Sequence, residues 1–362
     1  MRTSQPARIF NMLEGYHPVK NIIGAGDPNV HKIDDQWWMF FGGFQRNFKN
    51  NLFCASLPAG EPLNSQMIWT ITTASDNPKK AMPLIEQPDK TEWDGYGLHE
   101  PCYVEGYTKN SQGNFIPCQR IYYTGRKAKN TLKNDEPFSI GFLERNSDGW
   151  ERHPQPILKG DERNFNVLAP KVIYEKGKWR MWYRANSKEA PKGEKPRTEV
   201  YYTESEDGVH NWTKPILFFT REDEVAHVYP FQTGDSLEML ISKIPNFYGE
   251  NFYPEQKLWL LSADEVSGER RDWSNDPVEI IKARNGWDWY KGGFTESSVC
   301  HADLMEEEGC RYIFFTGIHT PFNKVKYAIK RIFSLKKPPI PSPFYFSIGY
   351  FKWDTENENA GK

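Results

Sequence analysis

The sequence lacks the features that mark several classes of protein. Its five cysteines are odd in number and widely spaced, so they do not indicate a disulfide framework. No apolar run approaches the roughly 20 residues of a transmembrane helix, and the first residues, MRTSQPARIF, lack the apolar core of a signal peptide. A net charge of −2, with both signs interspersed, disfavours a nucleic-acid or membrane-surface partner. We therefore expect a reduced, cytoplasmic protein.

The chain contains one pattern that recurs five times. In the first copy a turn and short strand, GDPNV, precede a polar hairpin and an aromatic strand, WWMFF. Later copies include HEPCYVEGY with RIYYTGR, and LAPKVIYEKGKWRMWYRA. Most copies continue with a third strand and a short segment of Pro and aliphatic residues, such as HPQPIL or KPILFF. Four strand-length runs per unit, bounded by Gly, Pro, Asn or Asp, are what one blade of a β-propeller needs.

The repeats predict an all-β fold, a five-bladed β-propeller. Each unit has a hydrophobic face that only a neighbouring unit can cover, so residues 1–362 should form a single domain. Trp, Tyr and Phe make up 15% of the chain and should carry much of the packing between blades. The approximate blade boundaries are 26–73, 99–160, 168–219, 226–283 and 294–354.

The N-terminal segment is predicted to complete the last blade. A propeller must close its ring or leave a frayed edge strand. The run YHPVKNIIGAGDP matches the Pro-aliphatic outer strands of the other units, so we assign residues 17–23 to the last blade, beside residues 346–353. The alternative is an N-terminal arm that lies across the surface.

An acidic funnel is predicted at the centre of the ring. The innermost strand of each blade begins near the central axis, so the first residues of these strands line a shared space. The predicted starts are Asp27, Glu100, Ala169, Tyr229 and Glu296, of which three are acidic. Glycoside cleavage needs two carboxyl groups, and acids crowded into a narrow funnel raise one another's pKa. The pattern therefore favours acid/base catalysis.

The GDPNV turn with WWMFF, the unit APKVIYEKGKWRMWY and the run YYTESEDGVHNWTKP resemble the five-bladed propeller glycosidases, the superfamily of glycoside hydrolase families 43, 32, 117 and 130. The resemblance implies that Asp27 is a general base or a nucleophile; the alternative is an Asx turn before a strand. It implies that Glu100 orients substrate or tunes the pKa of a neighbour. The families place a general acid Glu near the start of the third blade, where this chain has Ala169.

Two residues are candidates to replace that missing acid. Glu296, in FTESSV, has the right chemistry, although it could instead be a hydrogen-bonded acid that stabilises the ring closure. His227, in VAHVYP, is a candidate proton donor because the related family 117 enzymes are thought to use a histidine. A single histidine before a strand is otherwise a structural residue.

Candidates for substrate binding lie near the strand starts. Arg126 and Arg184 follow aromatic strands at equivalent places, where a guanidinium could hold hydroxyl, carboxylate or phosphate groups. Aromatic rings in the matched loops WDGYGLHE and WDWYKGGFTE would stack on a sugar or wedge adjacent blades. The remaining candidates are Trp93, Tyr96, Trp287, Tyr290, Tyr229 and His99. The histidines are too scattered for a transition-metal site, so no cofactor is expected, although the resemblance to family 43 allows a Ca²⁺ ion in the central channel.

The sequence therefore favours a glycoside hydrolase that acts on a small glycoside or oligosaccharide. The missing third-blade acid favours an alternative, a propeller enzyme that performs acid–base cyclisation, dehydration or rearrangement. A non-catalytic sugar-binding propeller is the third possibility.

Overall fold

The protein is described by a computed structural model that covers residues 2–3, 7–10, 19–47, 49–110, 112–128, 136–188, 197–233, 236–243, 257–274, 276–282, 300–307, 309–318 and 346–354. Across these ranges the regular structure is β-sheet, and the only helices are two 3₁₀ turns, Arg221–Asp223 and Arg270–Asp272. The prediction of an all-β fold is confirmed. Over the same ranges no helix is long and apolar enough to cross a membrane.

The N-terminal part of the chain forms two short strands and the first repeat. The first repeat is an antiparallel sheet in the order β3-β4-β5-β6, with β7 and β8 paired separately. The strands are β1 (Arg2–Thr3), β2 (Ala7–Arg8), β3 (Ile22–Ile33), β4 (Gln36–Gln45), β5 (Asn50–Ser56), β6 (Thr70–Ile71), β7 (Thr73–Ala74) and β8 (Asn77–Ala81).

The second repeat is an antiparallel sheet in which two short segments, β12 and β13, pair with the outer strand β11. Its strands are β9 (Gly97–Lys109), β10 (Phe115–Arg126), β11 (Phe138–Asn146), β12 (Gly149–Arg152) and β13 (Leu158–Lys159). A single parallel bridge, Asn50 with Gly97, joins β5 to β9 and makes one nine-stranded sheet of the first two repeats.

The third and fourth repeats are separate four-stranded antiparallel sheets, and three strands follow in the fifth. The third contains β14 (Asn166–Glu175), β15 (Lys178–Asn186), β16 (Thr198–Ser205) and β17 (Ile216–Phe219). The fourth contains β18 (Val225–Thr233), β19 (Ser236–Lys243), β20 (Lys257–Ala263) and β21 (Val278–Lys282). The fifth contains β22 (Cys300–Glu307), β23 (Cys310–Ile318) and β24 (Phe346–Asp354).

The N-terminal residues pair with β24, but not through the predicted segment. Strands β1 and β2 are antiparallel to β24, with Arg2 opposite Asp354 and Ala7 opposite Tyr350. The assignment of 17–23 to this edge was wrong for Ile22 and Ile23, which belong to β3 and lie beside β4; residues 17 and 18 are outside the described residues. The Pro-aliphatic pattern indicated a buried strand but not which sheet it joins.

Five apolar clusters fill the spaces between the repeats. Each joins repeats that follow one another in the chain, and one joins the fifth repeat to the first, where Phe314 and Tyr350 lie with Met39 and Phe41. Flat rings dominate these clusters, for example the edge-to-face pair between Trp182 and Trp273 at 6.3 Å. Such pairs add roughly 0.5–1.5 kcal/mol beyond the area they bury.

The innermost strands of all five repeats line one cavity of about 720 Å³. Representative lining residues, one from each of β3, β9, β14, β18 and β22, are His31, Tyr103, Lys171, Phe231 and Leu304. One inner strand from each repeat therefore contributes to the same cavity.

Candidate active site

Asp27, Glu100 and Ala169 occupy one repeated position, inside a strand rather than at its start. Each precedes a proline, has a left-handed backbone with φ of 57°, 56° and 53°, and lies where the register to the next strand shifts. Left-handed backbone costs a non-glycine residue roughly 1–3 kcal/mol, which the surrounding sheet must offset. The bulge turns one side chain per repeat away from the regular alternation of the strand.

Side chains link this position from one repeat to the next. Asp27 donates its N–H to Thr316 Oγ1 at 2.7 Å, and Asp27 Oδ2 accepts the N–H of Glu100 at 3.3 Å. Glu100 Oε2 accepts the Ala169 N–H at 2.9 Å and the Thr124 hydroxyl at 2.6 Å. The carboxyl group of each of the first two repeats thereby reaches the backbone of the repeat that follows it.

A glycine makes room for the first carboxyl group. Gly42 lies in β4 at the register position that Thr124 holds in β10 and Thr316 in β23. A Cβ atom at Gly42 would lie 3.0 Å from Asp27 Oδ2 and 3.5 Å from the Cβ of His99. The missing side chain therefore lets Asp27 reach the backbone of the second repeat.

The two carboxyl groups are not electrostatically equivalent. Burial, and next the neighbouring Glu100, raise the pKa of Asp27 to about 7, against the opposing effects of the Glu100 N–H, Lys171 and Arg184. Glu100 is 4% exposed, and its Oε2 accepts two hydrogen bonds. Burial and the neighbouring Glu100 therefore bring the pKa of Asp27 close to neutral pH.

Two histidines flank the pair as neutral groups. His99 Nδ1 lies 3.4 Å from Glu100 Oε2, and burial lowers the pKa of His99 to about 4, with Arg126 and Arg184 acting in the same direction against Glu100. His227 is buried, and its Nε2 lies 3.4 Å from Arg184 Nη1. A guanidinium only donates, so His227 Nε2 is the acceptor of that contact.

Comparison with solved structures identifies the architecture. BT0996, solved as an RGII complex, matches with a TM-score of 0.65 at 13% identity, over 99% of this protein and 94% of its own length. A thermostable family-43 glycoside hydrolase matches with a TM-score of 0.57 at 14% identity, over 92% of this protein and 90% of its own length. The family 117 glycoside hydrolase Zg3597 from Zobellia galactanivorans matches with a TM-score of 0.57 at 11% identity, over 97% and 89%.

The chain shares the β-propeller fold of these solved glycoside hydrolases. At these identities the likeness concerns the fold alone. No protein-family model matches the sequence, and no curated protein matches it either. The resemblance that the repeats indicated is confirmed at the level of architecture.

Strand register places the repeated position of the fourth and fifth repeats at residues other than the predicted Tyr229 and Glu296. Register makes Tyr229 equivalent to Lys171, two residues beyond the bulge position, and β18 already begins at Val225. Tyr229 lies under the Lys171 ammonium at 5.3 Å and lines the cavity. In the fifth repeat the irregularity falls between Cys300 and Asp303, so His301 has the backbone position that sequence reasoning gave to Glu296.

The aromatic residues of the loop before Glu100 pack on the second strand of the second repeat. The Trp93 ring stacks on Tyr123 at 5.7 Å, and its Nε1 donates to the Pro154 carbonyl at 3.2 Å, so this ring packs within the second repeat. The Tyr96 ring lies 4.8 Å from the Arg126 guanidinium, whose Nη2 donates to Asn50 at 2.5 Å. Their roles in binding remain predictions.

Lys171, Thr124, Thr316 and Gly42 were missed from the sequence. Aligning the second strands FFGG, YYTG, WYRA and FFTG would have found the last three, because each contributes the third residue of its run. Glu296, Trp287 and Tyr290 lie outside the described residues. Within the described ranges no group of three or more His, Cys, Asp or Glu side chains could hold a metal ion, and the calcium expectation stays untested.

Proposed function

We propose that this protein is a glycosidase-like enzyme built as a five-bladed propeller, with its active site at Asp27 and Glu100. The blade count is supported by the five inner strands around one cavity and by the five apolar clusters, one of which joins the fifth repeat to the first. The pairing of β1 and β2 with β24 supports closure of the ring by the N-terminus. The single bridge between β5 and β9 supports counting the nine-stranded sheet as two blades.

The observation that carries the proposal is the pair of carboxyl groups on adjacent repeats, one of which has a pKa near neutrality. A group with a pKa of about 7 exchanges protons readily at physiological pH, as a general base or acid must. The bulge, the glycine at position 42 and the backbone strain all serve to present Asp27 beside Glu100. We propose Asp27 as the base and Glu100 as the charge that tunes it.

The sequence offered His227 and Glu296 as candidates for the proton donor. His227 Nε2 accepts a hydrogen bond from Arg184, so in this arrangement that nitrogen carries no proton to donate. Glu296, which lies outside the described residues, stays the proposed donor from the sequence, and we propose that His227 and His99 bind sugar hydroxyls. A cytoplasmic location and a small glycoside as substrate complete the proposal.

A second function is favoured by one observation. Ala169 places a methyl group where the first two repeats place carboxyl groups. An inverting glycosidase holds a water molecule between two separated carboxyl groups. A cyclisation, dehydration or rearrangement needs no such water molecule, so the carboxyl pair of the first two repeats would be sufficient for it.

The test is a panel of aryl glycosides assayed with wild type, Asp27→Asn and Asp148→Asn. Asp148 lies in an exposed hairpin turn of the second repeat and serves as the matched control. Asp27→Asn keeps the shape but removes the basicity, so kcat should fall by about 10²- to 10⁴-fold, with no change in Asp148→Asn. Near-normal turnover by Asp27→Asn would refute the assignment. A wild type that cleaves no glycoside of the panel would favour the second function.

A further inference from the structure

Three cations influence the titratable groups of the candidate active site. Lys171 and Arg184 both act on the charge of Asp27, and Arg126 and Arg184 both act on His99. Lys171 is only 6% exposed. Within the described ranges, none of these three cations has a carboxylate within 4 Å, and the Nε atoms of Arg126 and Arg184 are buried without a hydrogen-bond partner.

This arrangement contrasts with the other partly buried arginines of the protein. Five of those in the described ranges have an acid within 4 Å, whereas Arg270 donates only to the carbonyls of Trp273 and Ser274. The pairs are Arg120 with Glu144 (2.6 Å), Arg152 with Asp94 (2.8 Å), Arg180 with Glu204 (2.5 Å), Arg197 with Glu199 (3.1 Å) and Arg311 with Glu238 (2.9 Å). Removing charges from water is costly unless an opposite charge accompanies them. Lys171, Arg126 and Arg184 are therefore three cations without a direct ion pair, and all three influence titratable groups of the candidate active site.

The third repeat supplies Arg184 and Lys171 but no acidic side chain at its bulge. Arg184 lies opposite Leu168, the residue before Ala169, and Lys171 follows Ala169 by two positions in the same strand. Asp27 and Glu100, at the equivalent position, supply one carboxyl group each, whereas Ala169 supplies none. The third repeat thus brings two positive side chains to the site and no acid.

We propose that the substrate carries a carboxylate, as a sugar acid does, and that Arg184 and Lys171 bind it beside Ala169. The inference rests on the proposed active site. A guanidinium presents parallel N–H donors that match a carboxylate, and the ammonium adds a second charge. The ligand would supply the negative charge that the third repeat lacks, and its binding would offset the cost of the two buried cations.

The test measures the affinity of paired sugars by calorimetry at low ionic strength. The pairs are glucuronate with glucose, galacturonate with galactose and mannuronate with mannose. Wild type should bind at least one acid about tenfold or more tightly than its neutral partner, which corresponds to about 1.4 kcal/mol. Arg184→Gln should reduce that preference to about twofold or less. Lys178→Gln, which removes an exposed charge from the same strand, should leave it unchanged.

Several outcomes would overturn the inference. They are equal affinity for acid and neutral partner in wild type, no binding of any acid in the panel, and a preference that survives in the double variant Arg184→Gln with Lys171→Met. Sulfate and acetate serve as free-anion probes; if either binds as tightly as the sugar acids, the site takes an adventitious ion only. Circular dichroism and melting curves confirm that each variant is folded.

Failure of this inference and failure of the proposed function give different results. Binding of a sugar acid that depends on Arg184, without cleavage of its aryl glycoside, would reject the glycosidase proposal and keep the anion site. Cleavage of neutral glycosides that depends on Asp27, with no preference for acids, would reject the anion site and keep the glycosidase proposal.

Discussion

The raised pKa of Asp27 predicts that this residue destabilises the folded protein at neutral and alkaline pH. In the unfolded chain the carboxyl group has its ordinary pKa of 3.8, and in the folded protein the value is about 7. Between these values the folded state keeps a proton that the unfolded chain has lost, so stability falls as pH rises through this window and levels off above about 7. Asp27→Asn removes this dependence and keeps an oxygen that can accept the Glu100 N–H.

The size of the effect follows from the difference between the two pKa values. About three pH units correspond to at most about 4 kcal/mol, and because Asp27 keeps some solvent contact we expect roughly half of that. Urea unfolding at pH 4 and pH 8 should therefore show Asp27→Asn gaining about 2 kcal/mol relative to wild type as pH rises. Asp148→Asn should show no such gain. A constant difference between wild type and Asp27→Asn across this range would refute the electrostatic account of the pair.

Three further predictions concern the site, the buried ion pair behind it and the packing of the N-terminal residues. In Gly42→Ala the new Cβ atom would lie 3.0 Å from Asp27 Oδ2. Turnover should therefore fall by about tenfold or more, while the free energy of unfolding in urea changes by only about 1 kcal/mol. Unaltered turnover would contradict the close approach. In Asp94→Ala, Arg152 and Tyr123 lose a fully buried partner, so the free energy of unfolding should fall by about 3 kcal/mol. The control Asp76→Ala, at an exposed position, should leave it unchanged. In Phe10→Ala the first repeat loses a buried ring that lies 5.5 Å from Phe41, so the free energy of unfolding should fall by about 3–5 kcal/mol. Phe115→Ala, at an exposed position, should leave it unchanged. Equal effects of the two substitutions would argue against the docking of the N-terminus.

The repeats were predictable because strand patterns are local. Aromatic runs such as WWMFF and RMWYR alternate with polar turns, and each became a central strand, β4 or β15. Register was less predictable, because a period of two gives the face of a side chain but not its partner on the next strand. Tyr229 was therefore aligned with Asp27, although pairing with Leu240 shows that it matches Lys171, which pairs with Trp182.

The site was predictable in its acids and not in its cations. Asp27 and Glu100 stand out because each precedes a proline at the head of a repeat, and the fold brings them together. Lys171 looked like an ordinary residue of a strand rich in Lys and Arg, and only the bulge at Ala169 fixes its register beside the site, where its charge acts on Asp27. A bulge depends on both strands of a pair, so one strand taken alone does not reveal it.

The central claim is that ligand binds at the Asp27 and Glu100 end of the inner strands. The cavity of about 720 Å³ lies further along the inner strands, and its lining includes His31, four residues beyond Asp27 in β3, and Lys171, two residues beyond Ala169 in β14. A crystal structure of the inactive Asp27→Asn variant soaked with the best-binding sugar decides between the two places. The account predicts a sugar ring within about 3.5 Å of the substituted side chain at position 27 and of the Arg184 guanidinium. A sugar bound only among Tyr174, Phe231 and Met305 would contradict it.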